Sequence, residues 1–149
     1  MVRGELKERS NRLRRTPILA RIGAMHELIT EAGNEAQAIR HLPTWASKEI
    51  SAQGLYRFAL PPELAGEDTT ARQQIEIVEA VSAIDGSVGW CVHINSEINS
   101  LVIRQMQPDV AQEIYDDWDV VMCAGVGPGL QDARARRDGD GWQIGRAHV

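Results

Sequence analysis

The stretch Ala83-Ile84-Asp85-Gly86-Ser87-Val88-Gly89-Trp90-Cys91 joins two helical patterns with almost no linker. Apolar residues recur at three- and four-residue steps on both sides of Gly86, so we predict two helices that pack as a hairpin. Asp68 or Thr69 is expected to cap the first helix and Ser87 the second. The apolar sets are Ile75, Ile77, Val78, Val81 and Ile84 before the join, and Trp90, Cys91, Ile94, Ile98, Leu101 and Val102 after it.

Upstream of this hairpin, an amphipathic pattern begins at Pro17 and predicts a helix that continues towards Arg40. Proline suits the first turn of a helix, and Thr16 can cap its free amides. Residues 1–16 are different, because basic side chains crowd them. Such a run predicts a solvated, flexible terminus rather than a nucleic-acid-binding arm.

Between these segments, the sequence predicts a short helix from Pro43 or Thr44 to Gln53. Gly54 is placed to end that helix in a left-handed conformation. Residues 55–60 are then predicted to form an extended connector, which Pro61-Pro62 prevents from continuing as a helix.

Downstream of the hairpin, the period of the pattern changes. A short amphipathic helix is predicted from Pro108, and the compact apolar run Val120–Ala124 is predicted to be the first strand of a sheet. Ala133–Arg137 and Trp142–Ile144 have the pattern of two hairpin arms. Because one pair of strands buries too little apolar surface to be stable alone, we expect an incomplete sheet and a chain that is the front portion of a larger protein.

Composition restricts the classes of function. The 149 residues are 43% hydrophobic and 25% charged, which is typical of a globular domain, and the net charge of -5 argues against a general nucleic-acid binder. No apolar run approaches the roughly 20 residues of a membrane helix, and no secretory signal is present, so we predict no membrane association and a cytoplasmic location. Cys91 and Cys123 are predicted to be buried thiols, and no metal site is predicted.

Several motifs, in this order and spacing, resemble the N-terminal part of the acyl-CoA dehydrogenase superfamily. The resemblance covers about residues 17–144 and is closest to the branch of flavin-dependent monooxygenases. It implies a mainly α fold: an N-terminal helical domain over 17–116, followed by the first strands of an incomplete middle β domain over 117–143. The motifs are Leu42-Pro43, Gly54-Leu55-Tyr56-Arg57, Asp85-Gly86-Ser87 with Gly89-Trp90-Cys91, and Asp140-Gly141-Trp142-Gln143-Ile144.

The resemblance also implies a function for the parent protein. Members of this branch take reduced flavin, FAD or FMN, usually from a separate flavin reductase, and oxygenate a small aromatic or heteroaromatic substrate through a flavin hydroperoxide. A homotetrameric parent is expected, and the fragment alone is expected to be inactive. Two alternatives stay open: a fragment of a true acyl-CoA dehydrogenase, whose catalytic base would lie beyond this chain, and a non-catalytic helical interaction module.

The candidate site residues lie mostly on the helix after the join. His93 is the candidate catalytic residue, because imidazole transfers protons near neutral pH. Trp90, Ile94 and Asn95 are candidate substrate contacts in a dry cavity. Their alternatives are core packing for Trp90 and a locally satisfied surface position for His93. The resemblance places three residues of the glycine-rich loop near the flavin: Gly125, Val126 and Gly127.

The last six residues, Ile144-Gly145-Arg146-Ala147-His148-Val149, match the in-frame translation of a common short-read sequencing adapter. We therefore expect 144–149 to be an adapter-derived tail and give Arg146 and His148 no chemical role. The alternative is that these residues belong to the second hairpin arm.

Overall fold

The computed structural model describes residues 3–122 and 134–145, and within them the protein is mainly helical with a small antiparallel hairpin. The predicted fold class is confirmed at that level, while the acyl-CoA dehydrogenase-like arrangement stays a prediction. The elements are α1 (Arg3–Leu13), α2 (Ile18–Ala24), α3 (His26–Ile39), α4 (Thr44–Ala52), a 3₁₀ turn (Pro62–Leu64), α5 (Ala71–Ser82), α6 (Gly86–Val102), α7 (Pro108–Tyr115), β1 (Arg134–Asp138) and β2 (Gly141–Gly145).

The predicted hairpin of α5 and α6 is confirmed, and two glycines allow its close packing. A Cβ atom on Gly89 would overlap Ser82 of α5, and one on Gly33 of α3 would overlap the carboxylate of Asp85. Both glycines are buried. The absence of a side chain at each glycine therefore leaves room for Ser82 on one side of the join and for the side chain of Asp85 on the other.

The cap of α5 is Thr70, one residue later than predicted. Its hydroxyl accepts from the backbone N–H of Gln73, whose side chain accepts from the N–H of Thr70 in return. Thr69 does not occupy the cap position, and its hydroxyl donates to the carbonyl oxygen of Phe58 at 2.8 Å. Asp68 lies further away and has a left-handed backbone, with φ 52°.

The cap of α6 also differs from the prediction. Asp85 takes this position, and its Oδ1 accepts from the backbone N–H of Val88 at 2.9 Å. Ser87, the predicted cap, lies inside the first turn of the helix.

The long helix predicted from Pro17 is two helices. The chain turns at Met25, between α2 and α3, and α3 ends at Arg40, which has a left-handed backbone with φ 64°. Thr16 does not cap α2, because Pro17 occupies the cap position and no side chain bonds to the free amides.

The predicted helix before Gly54 and the left-handed Gly54 are confirmed, with φ 75°. The predicted extended connector after Gly54 is wrong. Residues 55–60 form successive turns, with the N–H of Arg57 bonded to the oxygen of Gly54 and the N–H of Leu60 to that of Arg57. Burial explains the difference, since tight turns bring the side chains of Leu55 and Phe58 into the core.

Most side chains of residues 4–16 are exposed, in keeping with the predicted solvated segment, but α1 also makes buried contacts. Leu6 and Ser10 of α1 are buried, and Leu6 packs with Ala65 and Trp118. The guanidinium of Arg9 lies 4.3 Å from the centre of the Trp118 ring system. The basic residues of α1 thus lie on either side of a small apolar contact. The composition of the segment could not predict this contact, because its partners are distant in sequence.

The main core lies between α2, α3, α4, α5, α6 and the turns after α4. A second apolar cluster joins Leu60 and Leu64 to Ala111 and Tyr115 of α7. The buried members of the main core are Ile22, Met25, Ile29, Ala32, Ala46, Ile50, Leu55, Tyr56, Phe58, Ile77, Val81, Val88 and Val92.

The predicted strand at Val120–Ala124 is wrong for residues 120–122, which have no strand structure. Cys123 and Ala124 lie outside the described residues. The two hairpin arms are confirmed, and they pair antiparallel from Arg134↔Gly145 to Asp138↔Gly141. The side chains of residues 135–143 are exposed, so both faces of this part of the hairpin meet solvent.

Candidate functional site

His93 lies in an apolar cleft of about 620 Å³ between α5 and α6, which we call the α5–α6 cleft. Ile75 and Leu101 line it and are 67% and 53% exposed, although the helical pattern predicted both for the core. The side chain of His93 is 41% exposed, and its Nε2 lies 3.5 Å from Oε2 of Glu97 one turn away. The carboxylate of Glu97 can therefore pair with the ring of His93 when that ring carries a proton on Nε2. The cleft itself supplies the apolar surface that a small organic ligand needs.

Trp90 lies outside the α5–α6 cleft and is 63% exposed, so the alternative of core packing is wrong for the described residues. Its ring centre lies 5.9 Å from that of His93, with the planes tilted by 58°. The two aromatic rings thus touch, but Trp90 lines another cleft with Cys91. Cys91 is half-buried, and burial raises the pKa of its thiol.

Asn95 faces the interior and is 1% exposed. Its amide nitrogen donates to the carbonyl oxygen of Tyr56 at 3.0 Å, and its Oδ1 accepts from the backbone N–H of Met122 at 2.7 Å. The side chain thereby fixes the chain leaving the helical region against α6. Ile94 is half-buried. Neither Ile94 nor Asn95 lines the cleft that contains His93, so the structure does not bring the predicted site residues into one cavity.

A second asparagine extends this buried polar network. Asn99 also donates to the oxygen of Tyr56, at 2.8 Å, and its Oδ1 accepts from the hydroxyl of Tyr115 at 2.5 Å. Burial raises the pKa of the hydroxyls of both Tyr56 and Tyr115. Two asparagines four residues apart on α6 were the signal for this network, because that spacing places both on one face.

Arg57 is the residue whose importance sequence reasoning missed. It is 2% exposed, and its two terminal nitrogens donate to the carbonyl oxygens of Leu64, Tyr115, Asp117 and Trp118 at 2.7–3.2 Å. Desolvation lowers the pKa of its guanidinium to about 10, which leaves it charged at neutral pH. Arg57 therefore ties the turns after α4 to the end of α7.

The candidate flavin contacts Gly125, Val126 and Gly127 lie outside the described residues. Within residues 3–122 and 134–145, no cluster of three or more His, Cys, Asp or Glu side chains could hold a metal ion. In the same part of the chain, no helix has the length and apolar character needed to cross a bilayer.

Two characterised proteins are similar to this sequence. One is pigment production hydroxylase of Rhodococcus erythropolis, 30% identical over 113 residues, or 75% of this chain. The other is indole-3-acetate monooxygenase of Acinetobacter baumannii, 32% identical over 82 residues, or 54% of this chain. The chain is similar to a monooxygenase and a hydroxylase.

The similarity covers only part of this chain and only part of each relative. The matched region spans 28% of the length of the hydroxylase and 21% of that of the monooxygenase. No family model matches the sequence, and no solved structure matches it. The relation to these enzymes therefore rests on sequence similarity over about a quarter of their length.

Proposed function

We propose that this chain forms the N-terminal helical part of a flavin-dependent monooxygenase. The similarity to the hydroxylase of Rhodococcus erythropolis over 113 residues carries the proposal. The name of the Acinetobacter baumannii relative supports a small aromatic or heteroaromatic substrate. In the proposed reaction one atom of dioxygen enters the substrate and the other leaves as water, with two electrons supplied by reduced FAD or FMN from a flavin reductase.

The α5–α6 cleft is the proposed contribution of this chain to substrate binding. Its exposed apolar side chains, Ile75 and Leu101, can cover an aromatic ring and exclude water from it. His93 is the proposed proton-transfer residue, because its ring lines this cleft and Glu97 can orient it. Trp90 stays a proposed aromatic contact beside His93, and Asn95 acts as a positioning residue through Met122.

The described residues do not by themselves form a flavin site. Both large clefts are open to solvent, and the three residues proposed to approach the flavin lie outside the described ranges. We assign the remaining walls of the flavin site to polypeptide beyond the matched region, since that region is about a quarter of each relative. The proposed homotetramer depends on the same additional polypeptide.

The proposal is tested with the product of the complete coding sequence that contains this segment. The protein is supplied with NADH, a flavin reductase, FAD or FMN, labelled dioxygen and a panel of small aromatic substrates. We expect one labelled oxygen atom in a product, found by mass spectrometry only when the flavin is reduced. Desaturation of an acyl thioester without oxygen incorporation would instead favour a true acyl-CoA dehydrogenase, and no flavin-dependent chemistry would favour the interaction module.

The role of His93 is tested by His93→Gln, with His26→Gln as the matched control on α3. A positioned proton-transfer residue contributes about 100-fold or more to turnover, so kcat is expected to fall by that factor while KM changes little. The control should retain full activity. Equal kcat values for the two variants would overturn the assignment of His93.

A further inference from the structure

A second cleft, of about 520 Å³, lies where the end of α3 meets the first turns of α6. We call it the Arg40 cleft. It shares no lining residue with the α5–α6 cleft, and its volume is within the range of small-molecule sites. Its lining includes Arg40, His41, Leu42, Ser87, Trp90 and Cys91.

Trp90 gives this cleft an aromatic wall. Its indole is 63% exposed, whereas Val88 beside it in the cleft is fully buried. The ring of His93 lies against the indole, with the ring centres 5.9 Å apart. A large exposed indole with a supported position is a platform on which a planar ring can stack.

Arg40 gives the cleft a positive charge in a chain whose net charge is -5. None of the residues that line the cleft is Asp or Glu, and the ion pairs found among the described residues do not include Arg40. The backbone of Arg40 is held by a 2.8 Å hydrogen bond from its N–H to the oxygen of Ala36. The cleft therefore combines an arginine, whose backbone is fixed, with the exposed indole of Trp90.

The N-terminus of α6 contributes little to this charge. Its cap, Asp85, already accepts from the N–H of Val88 at 2.9 Å, and this carboxylate offsets the positive end of the helix dipole. Recognition of a ligand in this cleft consequently depends on Arg40 and Trp90.

We propose that the Arg40 cleft binds a small planar aromatic carboxylate, with its ring stacked on Trp90 and its carboxylate bonded to Arg40. A guanidinium matches a carboxylate in both charge and geometry, and a stacked ring adds apolar contact. Binding of this ligand requires neither flavin nor turnover. The site is separate from the α5–α6 cleft to which the proposed function assigns the substrate, and Trp90 is the residue assigned to both.

The 149-residue chain can be tested directly by isothermal titration calorimetry with 2-naphthoate as the probe. Two analogues separate the contributions: 2-naphthamide keeps the ring without the charge, and hexanoate keeps the charge without the ring. We expect saturable binding of 2-naphthoate, with each analogue about tenfold weaker. Equal affinity for the amide, equal affinity for hexanoate, or no saturable binding of 2-naphthoate would overturn the proposal.

Matched variants locate the site. Arg40→Gln and Trp90→Leu should each weaken 2-naphthoate about tenfold. Arg104→Gln and Trp142→Leu are the controls, because Arg104 is exposed and Trp142 is 66% exposed, and neither lines the cleft. Far-ultraviolet circular dichroism confirms that each variant is folded. Loss of binding in a control with retention in the cleft variants would place the probe elsewhere and contradict the proposal, whatever the outcome of the oxygenation assay.

Discussion

The buried guanidinium of Arg57 donates its described hydrogen bonds to backbone carbonyl oxygens and not to a carboxylate. Its four carbonyl contacts come from the 3₁₀ turn and from the segment at the end of α7. The ring systems of Trp118 and Tyr115 lie 4.8 and 5.7 Å from its central carbon. A cation that replaces lost hydration with this many bonds stays ionised when buried, and its removal leaves several acceptors without donors.

We expect Arg57→Met to lower the free energy of unfolding by about 3 kcal/mol, because the carbonyl groups would remain buried and lose their donors. Urea unfolding followed by circular dichroism measures the change. Arg72→Met is the matched control at an exposed position of α5, where the change should stay within about 0.5 kcal/mol. Similar values for the two variants would contradict the role assigned to Arg57.

The two tyrosines of the chain predict how stability changes in alkali. Burial raises the pKa of Tyr56 and of Tyr115 above the ordinary value of 10.0, so the folded protein keeps phenol protons that the unfolded chain releases. Their contribution to the free energy of unfolding is complete below pH 10 and is lost as the pH rises through the folded-state values. The midpoint at which the near-ultraviolet absorbance of tyrosinate appears should therefore lie above pH 10 while the protein stays folded.

Tyr56→Phe provides the control for this titration, because the hydroxyl of Tyr56 has only a long contact, 3.3 Å, with Ser47 among its described hydrogen bonds. The variant should show half of the tyrosinate signal, at a pH still above the ordinary value. A midpoint at or below 10 in the folded protein would disprove the burial of these hydroxyls.

Among the elements, the hairpin of α5 and α6 depends on how closely its helices approach. Gly89 has no room for a methyl group because Ser82 occupies that space, whereas a methyl group on Gly23 of α2 would meet no atom of another element within 4 Å. Gly89 is therefore needed for the two helices to pack closely, whereas Gly23 has no packing role and only weakens its helix.

Gly89→Ala should destabilise the protein by about 2 kcal/mol, since overpacking outweighs the gain of up to about 1 kcal/mol in helix propensity. Gly23→Ala should stabilise it by up to about 1 kcal/mol. Comparing the urea midpoints of the two variants is the measurement. If both variants are stabilised alike, α5 and α6 do not pack at Gly89 as described.

The sequence predicted the elements well where one amphipathic face meets the core, as in α4, the α5–α6 hairpin and α7. It failed where distant residues decide the outcome. Leu6 is buried because Ala65 and Trp118 lie beside it. The turns after Gly54 form because they bring Leu55 and Phe58 into the core. For the candidate site, periodicity placed His93 and Trp90 on one helix, but it could not show that Asn95 turns inward to Tyr56 and Met122.

At the scale of the whole molecule, two large clefts formed by the described residues are open to solvent. Neither surrounds a ligand as large as a flavin, although each is large enough for a small ring. The exposed apolar residues of the α5–α6 cleft and the exposed faces of the hairpin are surfaces that additional polypeptide can cover.

We therefore expect the 149-residue chain alone to bind oxidised and reduced FAD or FMN weakly or not at all. Quenching of flavin fluorescence, and calorimetry for the reduced form, measure the affinity. The product of the complete coding sequence is the comparison and should bind far more tightly. A tight stoichiometric complex of the short chain would show that its own residues form the flavin site.

Trp118 contacts the guanidinium groups of both Arg9 and Arg57. The aromatic partner of the first helix therefore lies near the opposite end of the helical region. On the ribosome, α1 emerges long before Trp118 has been synthesised. At about 5–20 residues per second, several seconds separate the two events. During translation α1 must wait undocked, with Leu6 uncovered, and the helical region can close only after the segment following α7 has left the exit tunnel.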